Sequence, residues 1–362
     1  MIFSQYNRII EEDIARILNS DLTWEKFSGK TFLISGANGS LPAYMVETLL
    51  TLNNKDANAN ISVIGLVRNR AKAADRFKNY ANNKNLKLIE HDLGSNRPIE
   101  IDCNIDYVVH AASQASPKYY GTDPVGTMLP NIIGTFNLLE LARKKKSTGF
   151  LLFSSGEVYG QLNDEQISVS ENTYGSLDPM DVRSCYGESK RAAETLCVSY
   201  FQQYHVPVKI ARIFHTYGPG MKLDDGRVFC DFVSQIVKNE NIVLNSDGSA
   251  KRAFCYISDA TKAFFKILLD GENGLAYNVG NDEMFVSIKQ LAECLVNLFP
   301  EDRLQIVMDE SQQAPGYMQS KVNACKPDTS RKRISWFLFW RTLCSRNTSQ
   351  YWRQCRKRHP LA

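Results

Sequence analysis

KTFLISGANGSLPAY, residues 30–44, is the stretch that decides the fold. TFLIS (31–35) is an apolar run of strand length, and it feeds into a turn carrying Gly36 and Gly39. An apolar segment, SLPAYMVETLL (40–50), follows at once and reads as a helix. Strand, glycine turn and helix in that order match the GxxGxxG arrangement that receives a dinucleotide. Glycine is needed there because a side chain would keep the pyrophosphate from the backbone N–H groups at the helix start. The third glycine position holds Pro42, which a first helical turn tolerates, although close packing of helix on strand is then less assured. Glycine turns after strands are common; the place of this one, behind the first strand and ahead of an apolar helix, is what points to a dinucleotide.

Outward from this stretch, apolar runs of strand length alternate with helical stretches. They are ISVIGLV (61–67), LKLIE (86–90), DYVVHA (106–111), FLLFSS (150–155) and VKIARIF (208–214). Continuous apolar strands need cover on both faces, because successive side chains point to opposite sides. Repeated alternation of strand and helix therefore predicts an α/β fold with a parallel, doubly wound sheet. Ile9, Ile10, Ile14, Ile17 and Leu18 have helical spacing and predict a packing helix ahead of this domain. After Phe214 the rhythm loosens into loops such as HTYGPGMKLDDGR (215–227) and LNSDGSAKR (244–252), as expected of a smaller lobe covering a substrate. The expected division is a helical extension over 1–29, a nucleotide-binding domain mainly over 30–214, and the lobe mainly over 215–330.

Residues 331–362 are foreign to the rest and carry three of the four tryptophans, Trp336, Trp340 and Trp352. They show no clean period. Two readings stand: the product of a shifted reading frame, without a defined fold, or a basic tail that docks on acidic partners. From Lys326 onward there are ten Lys or Arg and one acid, leaving 33 bases against 38 acids before it. The body is thus mildly acidic, and the overall charge of +4 does not imply a nucleic-acid binder.

With 43% hydrophobic and 23% charged residues over 362 positions, the composition is that of an ordinary soluble protein. No apolar run reaches the roughly 18 residues of a membrane span. Acids within MIFSQYNRIIEEDIARIL interrupt what would be the apolar stretch of a signal peptide. Nine dispersed cysteines without a CxxC read as reduced thiols, and five dispersed histidines without an HxH or HxxxH pair offer no metal site.

An acid at the end of the second strand would bind the adenosine ribose and favour NAD. Here the residues are Val67 and Arg68; Arg68 either meets a 2′-phosphate, favouring NADP, or stacks on adenine, or is a solvated surface side chain. Asp92, after the third strand, either holds the adenine edge or caps a helix. YxxxK occurs three times, at Tyr80–Lys84, Tyr186–Lys190 and Tyr317–Lys321, so the pattern alone decides nothing. Only Tyr186 opens a long helical segment after a strand ending in Ser154 and Ser155, which puts Tyr186 and Lys190 on one helix face. That trio suits removal of a hydroxyl proton: the phenol is the base, a nearby ammonium lowers its pKa, and a serine hydroxyl orients the substrate oxygen.

The segments SGANGSLPA, DYVVHAAS, NIIGTFNLLE, FSSGEVYG, RSCYGESKRAAE, ARIFHTYGP, DDGRV and KRAFCYISD, in this order from about residue 30 to 330, resemble an extended short-chain dehydrogenase/reductase of the nucleotide-sugar epimerase/dehydratase type. RSCYGESKR, TYGP, DGRV and RAFCYISDA are most similar to UDP-glucuronate decarboxylases; UDP-glucose 4-epimerases and dTDP-glucose 4,6-dehydratases are more distant. The resemblance implies a Rossmann-type doubly wound sheet with a smaller C-terminal substrate-binding lobe. It implies a redox triad of Ser155, Tyr186 and Lys190, with Glu157 beside the sugar C5 and C6. Cofactor contacts would come from Gly36, Asn38, Gly39, Arg68, Asp92, Leu93, Ala111, Ala112, Tyr186 and Lys190. Substrate contacts would come from Ser113, His215, Arg227 and Arg252, arginine suiting phosphate and carboxylate by its paired donors.

The implied cofactor is NAD, with NADP left open by Val67–Arg68. The implied partners are a nucleotide sugar and a second copy of the chain, paired through the apolar stretches 128–145 and 185–204, in a cytoplasmic enzyme; the alternative is a nucleotide-sugar 4-epimerase or a dTDP-glucose 4,6-dehydratase-like enzyme of surface polysaccharide synthesis. No nucleic-acid or membrane partner and no metal are expected. Gly156 departs from the serine of decarboxylases and the aspartate of dehydratases, His215 from an asparagine, and the likeness stops near Thr329–Ser330. These departures and Pro42 motivate a rival reading, a non-catalytic relic of the fold, against which the intact Ser–Tyr–Lys order speaks.

Overall fold

The computed structural model describes residues 3–56, 58–95, 97–162, 168–281, 284–309 and 324–325. Strands β1 (Thr31–Ser35), β2 (Ser62–Val67), β3 (Leu86–Glu90), β4 (Tyr107–His110) and β5 (Gly149–Ser155) fall where the apolar runs predict them. β6 (Ser168–Val169) is a short outlying pair-former; β7 (Val208–Ile213) completes the predicted set. The helices between them are α2 (Ser40–Lys55), α3 (Arg70–Arg76), α4 (Pro124–Lys145) and α5 (Cys185–Tyr204), preceded by α1 (Phe3–Leu18). β1 shows why both faces are apolar: Phe32 and Ile34 enter one core with Phe27, Tyr44 and Phe265, whereas Leu33 enters another with Val108, Leu138 and Phe150.

The remaining strands are β8 (His215–Tyr217), β9 (Ile242–Leu244), β10 (Lys251–Tyr256), β11 (Leu275–Val279), β12 (Phe285–Ser287), β13 (Ile306–Met308) and β14 (Ala324–Cys325). The large sheet has seven parallel strands in the order β11-β7-β5-β4-β1-β2-β3. Strand order reverses between β1 and β4, so a crevice opens at their C-terminal ends, the place where such sheets bind ligands. β8, β10 and β12 form a separate three-stranded sheet, and β9 pairs with β13, under α6 (Val228–Lys238) and α8 (Ile288–Asn297). No helix among the described residues is long and apolar enough to cross a membrane.

One strand differs from the sequence reading. β11 leaves the stretch read as lobe and joins the large sheet beside β7, and α7 (Ile257–Asp270) packs with it into the large core. LAYNV is short and carries Asn278, so its pattern is weak; its pairing with β7 is what makes it a strand. Pro42 is buried at the third position of α2, where a helix has no use for its missing N–H. In α1, Ile10, Ile14 and Ile17 are buried in the large core, and Asp13 accepts hydrogen bonds from Tyr44 (3.0 Å) and Tyr256 (2.9 Å). The basic stretch 331–362 and Tyr317–Lys321 lie outside the described residues.

Candidate active site

The crevice is built from the glycine turn outward. Gly36 has φ +63°, and a Cβ there would meet the Ala112 Cα at 2.8 Å. Gly39 opens α2 without any side-chain cap, leaving the first N–H groups of that helix for a ligand. Glycine is required at both positions by the chain's own close packing, the Ala112 backbone against Gly36 and the Gly36 carbonyl against Gly39; a pyrophosphate fits the uncapped start of α2. The turn is pinned from below by a polar knot. Ser35 Oγ accepts from Ala111 N–H and Ala112 N–H, both at 3.0 Å, and so must donate to His110 Nδ1, 2.9 Å away. His110 Nε2 then carries its proton and donates to the Pro130 carbonyl at 3.1 Å. Burial drives the His110 pKa down to about 3, so the knot is uncharged at any working pH.

On the adenosine side of the turn, Arg68 is exposed and donates to Gln114 Oε1 at 3.3 Å. Asp92 caps a turn, its Oδ1 accepting from Gly94 N–H at 3.0 Å, while Leu93 is buried against the same helix as Pro130. Asn38 is half-buried within the glycine turn.

β5 ends at the crevice and its last residues turn into a short 3₁₀ segment, Gly156–Tyr159. Ser155 Oγ accepts from the Glu157 N–H at 3.2 Å. A Cβ on Gly156 would meet the Phe214 ring at 3.1 Å, so the missing side chain and the phenylalanine go together. Tyr186 lies in the first turn of α5, and Lys190 one turn later; both are buried. Lys190 Nζ donates to the Phe153 carbonyl at 2.7 Å and lies 5.7 Å from the Tyr186 ring centroid.

Burial pushes the Tyr186 phenol up to about 12; the Ser155 hydroxyl and the Arg227 guanidinium act against this, and Glu157 adds to it. The Ser113 hydroxyl neighbours the phenol and pulls the same way as Ser155, without a full hydrogen bond to any group. Burial also draws Lys190 down to about 7.

The lobe closes the other wall. Arg227 pairs with Asp225, its Nη2 donating to Oδ2 at 3.0 Å, and the loop holding both is tied down by Ser116 Oγ on the Asp225 carbonyl and by Lys118 Nζ on the Asp224 carbonyl at 2.7 Å. Arg252 is buried on β10 and donates to the Lys251 carbonyl at 2.8 Å. His215 is half-buried on β8, opposite Phe254; its Nδ1 is buried with no hydrogen-bond partner. Burial and the nearby Arg252 and Arg227 bring its pKa down to about 3. Among the described residues, no group of three or more His, Cys, Asp or Glu is arranged to hold a metal ion.

Residues 32–280 match the NAD dependent epimerase/dehydratase family. The chain belongs to that family. It is 35% identical over 300 residues to UDP-glucuronic acid decarboxylase 5 of Arabidopsis thaliana, covering 81% of this chain and 83% of that one. Among solved structures it resembles the UDP-glucose 4-epimerase of Thermotoga maritima, with a TM-score of 0.74 at 20% identity, covering 90% of this chain and 99% of the other. It also resembles the UDP-glucuronic acid 4-epimerase of Bacillus cereus, at 0.71 and 22%, with the same 90% and 99% coverage. The two structural likenesses bear on the fold, which is the Rossmann-type doubly wound sheet of the family.

Sequence reading passed over five residues of this family member's crevice. Ser35 and His110 hold the turn. Tyr120 stacks on Tyr186 with centroids 5.0 Å apart, and Arg183 lies 4.6 Å over Tyr120 and 3.9 Å from Glu157. Asp225 anchors Arg227. Arg183 had a legible signal, being three residues before Tyr186 in RSCYGES, and Asp225 lies two residues before Arg227 in DDGRV; Ser35, His110 and Tyr120 depend on contacts far apart in the chain.

Proposed function

We propose that the chain oxidises the sugar of a UDP-sugar at C4 and that its substrate is UDP-glucuronate, which it decarboxylates. The observation that carries this reading is the placement of Ser155, Lys190 and the lobe's Arg227 about Tyr186, in a chain whose relatives of high coverage are UDP-glucuronic acid decarboxylases. Gly36, Asn38, Gly39, Asp92, Leu93, Ala111 and Ala112 would hold NAD along the crevice, with Arg68 over the adenosine. When bound, the dinucleotide supplies the reversible oxidation at the sugar carbon.

Tyr186 takes the C4 hydroxyl proton, with Ser155 orienting that oxygen and Ser113 in reach of the same group. Arg227 and Arg252 hold the diphosphate and the C6 carboxylate, fixing the sugar against the phenol. A C6 carboxylate then becomes the acid group of a β-keto acid, which loses carbon dioxide and takes up a proton at C5; reversal of the C4 oxidation would then give the UDP-pentose. Gly156 offers no acid to protonate a leaving C6 hydroxyl, which speaks against 4,6-dehydration.

NAD is favoured over NADP because the matched family is NAD dependent. A second copy of the chain fits the exposed Val125, Leu129 and Phe136 of α4 with Val198 and Tyr204 of α5. A cytoplasmic place in polysaccharide synthesis accords with the substrate. Product analysis after incubation with UDP-glucuronate and, separately, UDP-glucose tests the reading. Carbon dioxide and a UDP-pentose from the first are expected. Interconversion of gluco and galacto forms without carbon dioxide would replace it by a 4-epimerase, and inertness toward both by the non-catalytic relic.

A further inference from the structure

Behind the crevice lies a buried polar network that the proposed reaction does not use directly. Glu194 stands one helical turn after Lys190 on α5, and both side chains point into the protein. Two consecutive residues of β5 hold the two groups. The Phe153 carbonyl accepts from Lys190 Nζ at 2.7 Å, and Ser154 Oγ donates to Glu194 Oε1 at 2.5 Å. Arg212 of β7 grips the same carboxylate through Nε at 3.0 Å and Nη2 at 2.7 Å. Its Nη1 turns away to the Tyr159 hydroxyl (3.1 Å) and the Glu171 carbonyl (3.0 Å), and Tyr159 donates to Asn278 of β11 at 2.6 Å. The carboxylate is therefore fixed in position among donors, one of them a guanidinium.

Every charged or titratable group facing Lys190 can be named. From β4, His110 is neutral, as its low pKa requires. On α5 itself Tyr186 is a neutral phenol in the free protein, and burial keeps the Cys197 thiol protonated. From β7, Arg212 is engaged with Glu194. Among the described residues, Glu194 thus supplies the one negative charge that acts on Lys190 against the effect of burial.

We propose that Glu194, held by Ser154 and Arg212, is a positioning residue that keeps the ammonium charge on Lys190. The inference rests on the reading of Lys190 as part of the redox triad, and it assigns a task to a pair that could otherwise be taken for a structural ion pair. A buried ion pair by itself contributes little net stability, so its presence beside the working lysine calls for a reason other than stability.

The test follows Lys190 directly, by NMR of the full chain carrying lysine labelled at Cε and Nζ, with the resonance assigned by its loss in Lys190→Arg. In Glu194→Gln the titration midpoint of Lys190 is expected to fall by about one pH unit, a tenfold loss of proton affinity. Because Arg212 is then an unpaired buried charge, Glu194→Gln/Arg212→Gln provides a second variant without that burden, and its midpoint is also expected to fall. With UDP-glucuronate, the basic limb of the kcat/KM profile should move to lower pH in step with the midpoint, whereas a structural role would lower activity equally at all pH. A midpoint unchanged in a folded variant overturns the proposal. A wild-type protein inert toward UDP-glucuronate with a shifted midpoint in the variants would remove the proposed substrate and leave the task of Glu194 standing.

Discussion

The two walls of the crevice treat their polar groups in opposite ways. Behind the glycine turn the polar groups of the knot are paired: Ser35 Oγ accepts from two N–H groups and donates to His110, and His110 donates to Pro130. Around the lobe wall, His215 Nδ1 is buried without a partner. A buried polar group left unmade is expensive, and folded proteins rarely keep one without cause. The first wall is scaffold, rigid before anything binds. The second carries unmet hydrogen-bonding capacity that a polar ligand can complete, and it does so next to two arginines.

The comparison can be broken most sharply at the phenol between the walls. Tyr186→Phe removes the proton acceptor and should lower turnover of UDP-glucuronate by roughly 10²- to 10⁴-fold while the melting temperature stays put; an active variant would remove Tyr186 from its role. Next comes the scaffold. Ser35→Ala strands two part-buried N–H groups and a buried histidine nitrogen, so denaturant unfolding should show a loss of about 2 kcal/mol, together with weaker retention of NAD. An unchanged unfolding curve would mean that the knot is not what stiffens the turn.

The opposite behaviour is expected at the lobe wall. His215→Leu deletes an orphaned nitrogen, so stability should hold or rise, whereas KM for UDP-glucuronate should increase roughly tenfold at similar kcat. A destabilised variant with unaltered KM would make His215 scaffold as well. The smallest effect lies away from both walls, at Asp13 of α1. Burial raises its carboxyl to about 6, so its protonated form is the one the fold favours. The stabilising contribution is full below the ordinary value of 3.8 and is lost as pH rises through about 6. Unfolding of wild type and Asp13→Asn, compared between about pH 4 and pH 7, should therefore show the wild type losing ground to the variant as pH rises. A constant difference would place the cause elsewhere.

Legibility in the sequence was uneven for a physical reason. The strands and the YxxxK helix could be read because burial imposes a local period, and because a sharp turn against a ligand selects glycine residue by residue. Tyr186 and Lys190 shared a readable face for the same reason, four residues being about one turn. β11 was missed because its strand character comes from pairing with β7, and LAYNV carries little of it alone. Tyr120 could not be foreseen beneath Tyr186, since 66 residues separate two rings that meet only once α5 packs beside α4.

By itself the sequence determined the alternation that makes a parallel sheet, the glycine turn, the order of serine, tyrosine and lysine, and through its motifs the family. The tertiary structure alone decided which polar groups find partners. Ser35 meets His110 across 75 residues, and Phe214 takes the space that Gly156 leaves open. It also decided that Arg227 from the lobe lies close enough to act on the phenol of α5. Periodicity and turn chemistry act between near neighbours and are written along the chain. Hydrogen-bond satisfaction and charge coupling act across space, and they exist only once distant segments have been brought to the same place.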